Sequence, residues 1–269
     1  MNTAFKKIIH AAGLRRCHVA AARMYCERHL LATTSITAST RPRSTGRILC
    51  YHSIGQTASG VNDVTPKRFR RQIELALSSG YQFVPPAQIA CGGGSPRDLA
   101  ITFDDGWTSV LSKAAPILHD YGIPWLVFVV TSWSDHQSGW AKESILPWRD
   151  IDHLIAQGAQ IGSHSVTHPD FGAIDRIQMI EELRGSRETI QKRLGFAPTA
   201  FAIPYGQSMN WPAEANTIAR DAGYGTVYAQ AEETRPSGTI ARTFVTRFDS
   251  DRIFNALLRG AYDRWEEWV

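Results

Sequence analysis

Two pairs of polar residues follow apolar runs in this sequence, and both are of types that bind metals and transfer protons. Asp104 and Asp105 directly follow the apolar run Leu99–Phe103. His164 and His168 follow another short run. One carboxylate and two imidazoles suit a divalent ion of the zinc type, and three protein ligands leave one position open for water. Water in that position has its pKa lowered toward about 7, which makes hydroxide available at neutral pH.

The two aspartates are adjacent in the chain, and this argues against the same role for both. Consecutive side chains of an extended segment point to opposite sides, so a turn is needed to bring both carboxylates near one ion. Gly106 follows them and permits such a turn. We therefore predict that one aspartate binds the metal and that the other lies beside the water as a general base.

Two further polar groups also follow apolar runs. His52 comes after Ile48–Tyr51, and a Pro-Tyr-Gly tripeptide that contains Tyr205 comes after Thr199–Ala202. Each pattern is common by itself, because Asp-Asp-Gly and Pro-Tyr-Gly are most often turns and a single histidine is most often structural. Their shared position after successive strands favours one site, since the carboxyl ends of barrel strands meet at one rim.

Short apolar strands alternate with helices from Arg47 onward. The predicted strands are Ile48–Tyr51, Gln82–Val84, Leu99–Phe103, Trp125–Val130, Gln160–Gly162, Thr199–Ala202, Thr226–Tyr228 and Thr243–Val245. The predicted helices are one that begins at Pro66 after the cap Thr65, Ser109–Tyr121, Trp148–Gln157, Asp175–Leu194, Ala213–Ala222 and Asp251–Trp265. This alternation is typical of a parallel sheet covered on both faces. The number of units in one domain favours an α/β protein with a closed or nearly closed barrel.

The composition suits a soluble protein with a sizeable core, because 43% of the residues are hydrophobic and 20% are charged. No apolar run approaches the roughly 18–20 residues that span a bilayer. The net charge of +4 comes from residues 1–46, where eight basic side chains stand against the single acid Glu27. Residues 47–269 have a small acidic excess, so we expect no nucleic-acid partner. We therefore divide the chain into a basic N-terminal extension with a linker, 1–46, and one domain, 47–269.

The extension has helical character over residues 3–31 and is rich in Ser, Thr and Arg over Thr33–Thr45. Arg15, Arg16 and Arg23 interrupt every apolar stretch that a cleavable export signal would need. Three interpretations of the extension stay open. It contacts an anionic membrane surface, it is an organelle transit peptide, or it has no defined role. Without an export signal, we expect the protein in the cytoplasm or at the cytoplasmic face of the membrane.

Two segments of the sequence resemble the first two motifs of a known family. Ile101–Gly106 and Ser163–His168 are similar to motifs of the polysaccharide deacetylases, carbohydrate esterase family four, which share the NodB-homology domain. The resemblance covers about residues 47–247. It implies a distorted parallel (β/α) barrel of about seven strands. It also implies metal-dependent removal of acetyl groups from a sugar polymer or oligomer that contains N-acetylglucosamine.

The same resemblance assigns roles to individual residues. Asp104 would be the general base, and Asp105, His164 and His168 would hold a divalent metal ion, usually zinc. The segment around Tyr205 matches the third motif, in which the backbone N–H of the tyrosine helps to bind the oxyanion. The implied substrate partner is an N-acetylated oligo- or polysaccharide such as a chitooligosaccharide.

Two departures from the family pattern affect the catalytic groups. The third motif often carries an arginine where this chain has Ala202, so the usual partner of the base aspartate is missing there. The family usually supplies a histidine as general acid near the C-terminus, and this chain has no histidine after His168. We predict that His52 contributes the missing acid or a substrate contact, and that Arg242, at the start of the last strand, replaces the arginine.

A subgroup that acts on poly-N-acetylglucosamine resembles this chain more closely. It has a Phe-Ala-x-Pro-Tyr-Gly third motif, as in Phe201–Gly206, and a Tyr-His pair near the first strand, as in Tyr51-His52.

Other functions on the same scaffold stay open from the sequence. The loop Thr131–Pro147, which would help to choose the substrate, carries no decisive signature, so an O-acetyl esterase or a cyclic-amide hydrolase is an alternative. A catalytically silent carbohydrate-binding protein is a second one, although the retained Asp104 argues against it. A scaffold that uses its basic tail at a membrane surface is a third. Four tryptophans either stack on sugar rings or pack in the protein: Trp107, Trp133, Trp140 and Trp211.

Overall fold

A computed structural model describes residues 16–34, 45–135 and 143–266. The strands are β1 (Arg47–Tyr51), β2 (Ser53–Ile54), β3 (Asp63–Val64), β4 (Gln82–Phe83), β5 (Asp98–Phe103), β6 (Trp125–Val129), β7 (Ala159–Ser163), β8 (Ala200–Ala202), β9 (Thr226–Tyr228) and β10 (Thr243–Phe244). The α-helices are α1 (Arg16–Thr34), α2 (Pro66–Ser78), α3 (Pro86–Ala90), α4 (Ala115–Asp120), α5 (Thr131–Ser134), α6 (Trp148–Ala156), α7 (Arg176–Leu194), α8 (Ala213–Asp221) and α9 (Asp251–Leu258).

The main sheet is parallel and curves into a half-barrel surrounded by helices. Its strand order is β10-β1-β5-β6-β7-β8-β9, and β4 pairs with β5 outside this path. A bridge between Tyr228 and Ile240 brings the chain that leads into β10 against β9, which closes most of the ring. The predicted distorted parallel barrel of about seven strands in one domain is therefore confirmed. The short β2–β3 ladder was not predicted.

Burial on both faces explains why the strands are continuous apolar runs in the sequence. In β6, Leu126 and Phe128 pack in the cluster inside the barrel, whereas Trp125, Val127 and Val129 pack in the cluster beneath the helices. Alternate residues of a strand point to opposite faces, so both sets must be apolar when both faces are covered. The inner cluster fills the interior of the half-barrel.

Two predicted helices differ from the structure. The predicted helix Ser109–Tyr121 consists of a wider π-type turn, Val110–Ala114, followed by α4. Pro116 has no N–H to donate, which interrupts the regular hydrogen-bond pattern at this point. The predicted helix Asp251–Trp265 is wrong beyond Leu258, because Gly260 adopts a left-handed conformation with φ 96°. A left-handed glycine commonly ends a helix.

Helix α1 belongs to the predicted N-terminal extension and packs on the body through buried apolar residues, Met24 and Ala32, and through one buried charge. Arg28 is fully buried, and its Nε and Nη2 each donate to the carboxylate of Asp249 at 2.5 Å. Its Nη2 also donates to the carbonyl of Phe244 at 3.2 Å. The guanidinium lies over the rings of Tyr262 and Trp265, at 4.4 and 4.9 Å from their centroids. Through Arg28, α1 is tied to the loop that follows β10.

The rest of the extension is only partly described. Residues 1–15 and most of the predicted linker at 33–45 lie outside the described residues. Within the described ranges, no helix is both long enough and apolar enough to cross a bilayer.

Loss of Arg28 should destabilise the protein strongly. Arg28→Ala leaves the Asp249 carboxylate buried without its partner, which typically costs about 3–5 kcal/mol. Arg23→Ala in the same helix breaks a pair with Glu27 whose side chains are 56% and 33% exposed. Exposed pairs contribute only about 0–1 kcal/mol. Urea unfolding of both variants measures the difference, and an equally small effect for both would contradict a stabilising role for the pair between Arg28 and Asp249.

Candidate active site

The predicted site residues come together at the carboxyl ends of the parallel strands. They line one cavity of about 170 Å³. The predicted residues around it are His52, Asp104, Asp105, His164, His168, Tyr205 and Arg242. The rim of the half-barrel therefore brings together segments that are as far apart in the chain as β1 and β10.

Three of these residues present donor atoms to one point. The Oδ1 atom of Asp105 lies 3.6 Å from Nε2 of His164 and 3.7 Å from Nε2 of His168. The ligand atoms of the three residues all lie within 4.8 Å of one another. Asp105 Oδ1 is buried and has no hydrogen-bond partner. Nδ1 of His164 is bound to the carbonyl of Ala202 at 2.8 Å, which leaves Nε2 directed at Asp105. This set of donors fits a divalent metal ion.

A left-handed turn brings both adjacent carboxylates into the cavity. Asp105 has φ 72° and Gly106 has φ 75°. The turn predicted at Gly106 thus begins one residue earlier, at a residue with a side chain. His168 and Tyr205 are also left-handed, with φ 64° and 62°. Such conformations cost free energy for residues other than glycine and tend to cluster at functional sites, where the surrounding structure enforces them.

Asp104 is held by Arg242 in a bidentate ion pair. The Nη1–Oδ1 distance is 2.5 Å and the Nη2–Oδ2 distance is 2.7 Å. Both side chains are buried, and the thiol of Cys50 lies 3.4 Å from Oδ2 of Asp104. Burial alone would raise the pKa of Asp104, but the positive charge of Arg242 outweighs it and holds that pKa well below its usual range. Asp104 is therefore ionised at every pH at which the protein is expected to work.

Asp105 has the opposite electrostatic environment. Burial raises its pKa, and the neighbouring charge of Asp104 acts in the same direction. Its Oδ2 accepts a hydrogen bond from the indole Nε1 of Trp107 at 3.0 Å. No arginine or lysine is paired with Asp105 among the described ion pairs. A bound cation would offset the cost of this buried charge.

The two imidazoles are kept neutral by burial. Burial lowers the pKa of His164 to about 3 and that of His168 to about 4, although the negative charge of Asp104 opposes the shift in both cases. Neutral imidazole is the form that binds a metal. The rings are therefore in the ligand form at neutral pH.

His52 lies in the same cavity, on the side of β10. Its ring packs edge-on against Phe244, with 5.0 Å between the centroids. Its Nδ1 atom is buried and makes no hydrogen bond to the protein. A polar atom of this kind in a cavity has a partner available only from solvent or from a bound molecule.

The tryptophans have three different environments. Trp107 is 4% exposed, so its ring is not available to stack on a sugar. Its indole N–H donates to Asp105, so it does more than fill space in the core. Trp211 is buried against Phe201, 5.5 Å between ring centroids, and belongs to the core. Trp133 stacks on His168 at 5.3 Å. The remaining candidate, Trp140, lies outside the described residues.

Gln230 contributes to the site and was not predicted. Its side-chain amide donates to the carbonyl of Tyr205 at 2.5 Å, and its backbone N–H donates to the carbonyl of Gly206 at 2.8 Å. A Cβ atom on Gly206 would lie 2.8 Å from Cγ of Gln230, so the turn and the glutamine are in close contact. These contacts hold the left-handed turn at Tyr205. The signal was its position just after the predicted strand Thr226–Tyr228, at the rim where polar residues gather.

The sequence of this chain matches the model of the polysaccharide deacetylase family over residues 92–227, about half of the chain. The chain belongs to this family. Members of the polysaccharide deacetylase family are hydrolases that act on N-acetyl groups and generally depend on a divalent metal ion.

Individual relatives match over part of their length. The chain is 28% identical over 111 residues to a chitin deacetylase of Colletotrichum lindemuthianum, which covers 41% of this chain and 42% of that protein. It is 24% identical over 139 residues to a chitooligosaccharide deacetylase of Sinorhizobium fredii, covering 51% and 58%. The chain thus spans about half the length of these relatives.

Solved structures share the fold over most of the chain. The Streptococcus pyogenes deacetylase PplD, solved in complex with acetate, aligns with a TM-score of 0.68 and 21% identity, covering 82% of this chain and 99% of that one. IcaB from Ammonifex degensii aligns with a TM-score of 0.65 and 24% identity, covering 81% and 97%. The half-barrel of this polysaccharide deacetylase family member is therefore the same fold as theirs.

The lowered pKa values of the two histidines predict how acid affects metal binding. Protons should compete for His164 and His168 only near pH 4 and below, because burial disfavours the charged rings. We expect protein that has been loaded with zinc to keep the ion during dialysis at pH 5.5, where a solvated histidine is about nine-tenths protonated. Elemental analysis across a pH series measures this. Release of half the metal near pH 6.5 would contradict the prediction.

Proposed function

We propose that this protein hydrolyses N-acetyl groups of an oligo- or polysaccharide that contains N-acetylglucosamine, with zinc as its metal. The observation that carries the proposal is an ionised aspartate beside a metal-type cluster in one cavity. Asp104, fixed by Arg242, lies next to the donor atoms of Asp105, His164 and His168. A general base next to three ligands with room for water is the arrangement that amide hydrolysis needs.

Asp105, His164 and His168 would hold the metal. Bound by these three residues, zinc would supply a Lewis acid for the acetyl carbonyl and would make hydroxide available at neutral pH. Asp104 takes the proton of the attacking water. Because Arg242 holds the pKa of Asp104 low, the carboxylate is ionised before each turnover and passes the accepted proton on to solvent afterwards.

The backbone of Tyr205 stabilises the oxyanion. Its N–H donates to the negative oxygen that develops as the carbonyl carbon becomes tetrahedral. The left-handed conformation of Tyr205, held by Gln230, fixes the direction of the neighbouring peptide groups before substrate binds. A donor that needs no reorientation during the reaction stabilises the transition state more than a mobile one.

His52 protonates the leaving amine. Its buried, unpaired Nδ1 supports this role, since it lies in the cavity without a competing protein partner. The chain has no histidine after His168 that could act instead. The names of the chitin and chitooligosaccharide deacetylases among the relatives favour N-acetylglucosamine chains over other acylated sugars as substrate.

The proposed activity is tested by acetate release from a panel of acetylated polymers. The panel contains chitooligosaccharides, poly-N-acetylglucosamine, peptidoglycan and acetylxylan, each with and without a chelator. We expect release from an N-acetylated substrate that the chelator abolishes. Asp104→Asn should keep the metal and lose turnover by about 10²–10⁴-fold, the usual contribution of a general base. Asp120→Asn, at an exposed position, is the matched control and should be fully active.

Each other outcome of the panel supports a different function. Release from acetylxylan alone would make the protein an O-acetyl esterase. Binding of chitooligosaccharides without release from any substrate would make it a carbohydrate-binding protein without activity. Either result would overturn the proposed N-deacetylation.

The role of His52 has its own test. His52→Ala should lower kcat on a chitooligosaccharide by about 10²-fold or more, because general acid catalysis contributes at least that much. Metal content should not change, since His52 is not among the three clustered ligands. His153→Ala removes a histidine whose side chain is 69% exposed and serves as the control. Nearly full turnover in His52→Ala would exclude the role as acid.

A further inference from the structure

The loop after β7 determines where His168 lies. Ser165 and His168, at its two ends, are left-handed, with φ 71° and 64°. The N–H of His168 donates to Oγ of Ser165 at 2.9 Å, which closes the loop on itself. A loop with two strained residues keeps its shape only if surrounding groups hold it.

Glu182 of helix α7 binds the middle of this loop with both carboxylate oxygens. Its Oε2 accepts the backbone N–H of Val166 at 2.7 Å and that of Thr167 at 2.9 Å. Its Oε1 accepts the hydroxyl of Thr167 at 2.6 Å. Hydrogen bonds to an ionised acceptor are roughly twice as strong as neutral ones. Three of them converge on the two residues that precede His168.

The packing of α7 allows Glu182 to reach the loop. Gly185 lies one turn further along the helix, where a Cβ atom would lie 3.3 Å from Cγ2 of Val166. A side chain at this position would require Val166 to shift by a few tenths of an ångström. Ser186 of the same helix is bound to Ser163, at the end of β7, with 2.8 Å between their Oγ atoms. Helix α7 therefore binds both the start of the loop, at Ser163, and its middle, at Val166 and Thr167.

A second element holds the other side of the loop. The N–H groups of Thr131 and Ser132, at the start of α5, donate to the carbonyls of Ser165 and Val166 at 3.2 and 3.0 Å. These bonds fix the carbonyls of the loop, whereas Glu182 fixes its N–H groups. Without Glu182, the N–H groups of Val166 and Thr167 would have no protein acceptor among their described bonds.

We propose that Glu182 is a positioning residue for the metal: it holds the loop so that the imidazole of His168 faces Asp105 and His164. This inference rests on the proposed metal site, but not on the identity of the substrate. Partners outside the ligand set commonly change metal affinity by 10–100-fold, because they fix the orientation of a ligand before the metal binds.

The test measures zinc affinity of the full chain by competition with a chromophoric chelator. Glu182→Ala should weaken zinc binding by about 10–100-fold. Glu182→Gln should lose less than about 5-fold, because a glutamine oxygen can accept both N–H groups while its amide donates to the Thr167 hydroxyl. The neighbouring Glu181→Ala, at an exposed position, should bind zinc like the wild type. Saturating zinc should restore much of the kcat of Glu182→Ala.

Each result decides the inference. Equal zinc affinity for Glu182→Ala and Glu181→Ala would overturn it while leaving the metal site intact. Absence of zinc binding in the wild type would overturn both the metal site and this inference. If Glu182→Ala does not fold, Thr167→Val removes one of the three hydrogen bonds instead. An unchanged zinc affinity in Thr167→Val together with a large loss in Glu182→Gln would also contradict the inference, because charge and not loop geometry would then matter.

Discussion

Two adjacent carboxylates buried at one end of a barrel are the constraint on which this site depends. Each negative charge removed from water needs a positive partner or must be neutralised by a proton. Asp104 has its partner in Arg242, and its pKa is lowered as a result. Asp105 accepts a hydrogen bond from the neutral indole of Trp107 and faces two imidazoles, His164 and His168. Burial lowers the pKa values of these two rings, so they bring no positive charge at neutral pH. Arg242 therefore supplies one of the two positive charges, and in the proposed function a metal ion supplies the other.

The fold brings these charges together by enforcing unfavourable backbone conformations. Asp105, His168 and Tyr205 all adopt left-handed conformations, and each directs a functional group into the cavity. Polar side chains from neighbouring elements hold two of these turns, Gln230 at Tyr205 and Glu182 in the loop before His168. The apolar strands beneath provide a rigid base. The stability of the core is what allows strain to be kept at the rim.

Much of this arrangement could be predicted from the sequence because it depends on local patterns. Alternating strands and helices predict the parallel barrel, and polar residues that follow strands predict the rim. The missing arginine of the third motif, together with the position of Arg242 at the start of the last strand, predicted that Arg242 would partner Asp104. Contacts that depend on packing could not be predicted. Trp107 lies two residues from Asp105, but its role as a hydrogen-bond donor depends on the turn between them. Arg28 and Asp249 form an ion pair although they are 221 positions apart in the chain.

The central claim is that Asp104 and Asp105 differ in role because one is neutralised by an arginine and the other by a metal. A crystal structure of the zinc-loaded protein, with anomalous diffraction data on both sides of the zinc absorption edge, tests it most directly. The account predicts a single strong anomalous peak bound by Asp105, His164 and His168, with the pair between Asp104 and Arg242 intact. A peak bound by Asp104 with Arg242 displaced, or no peak between the two imidazoles, would contradict it.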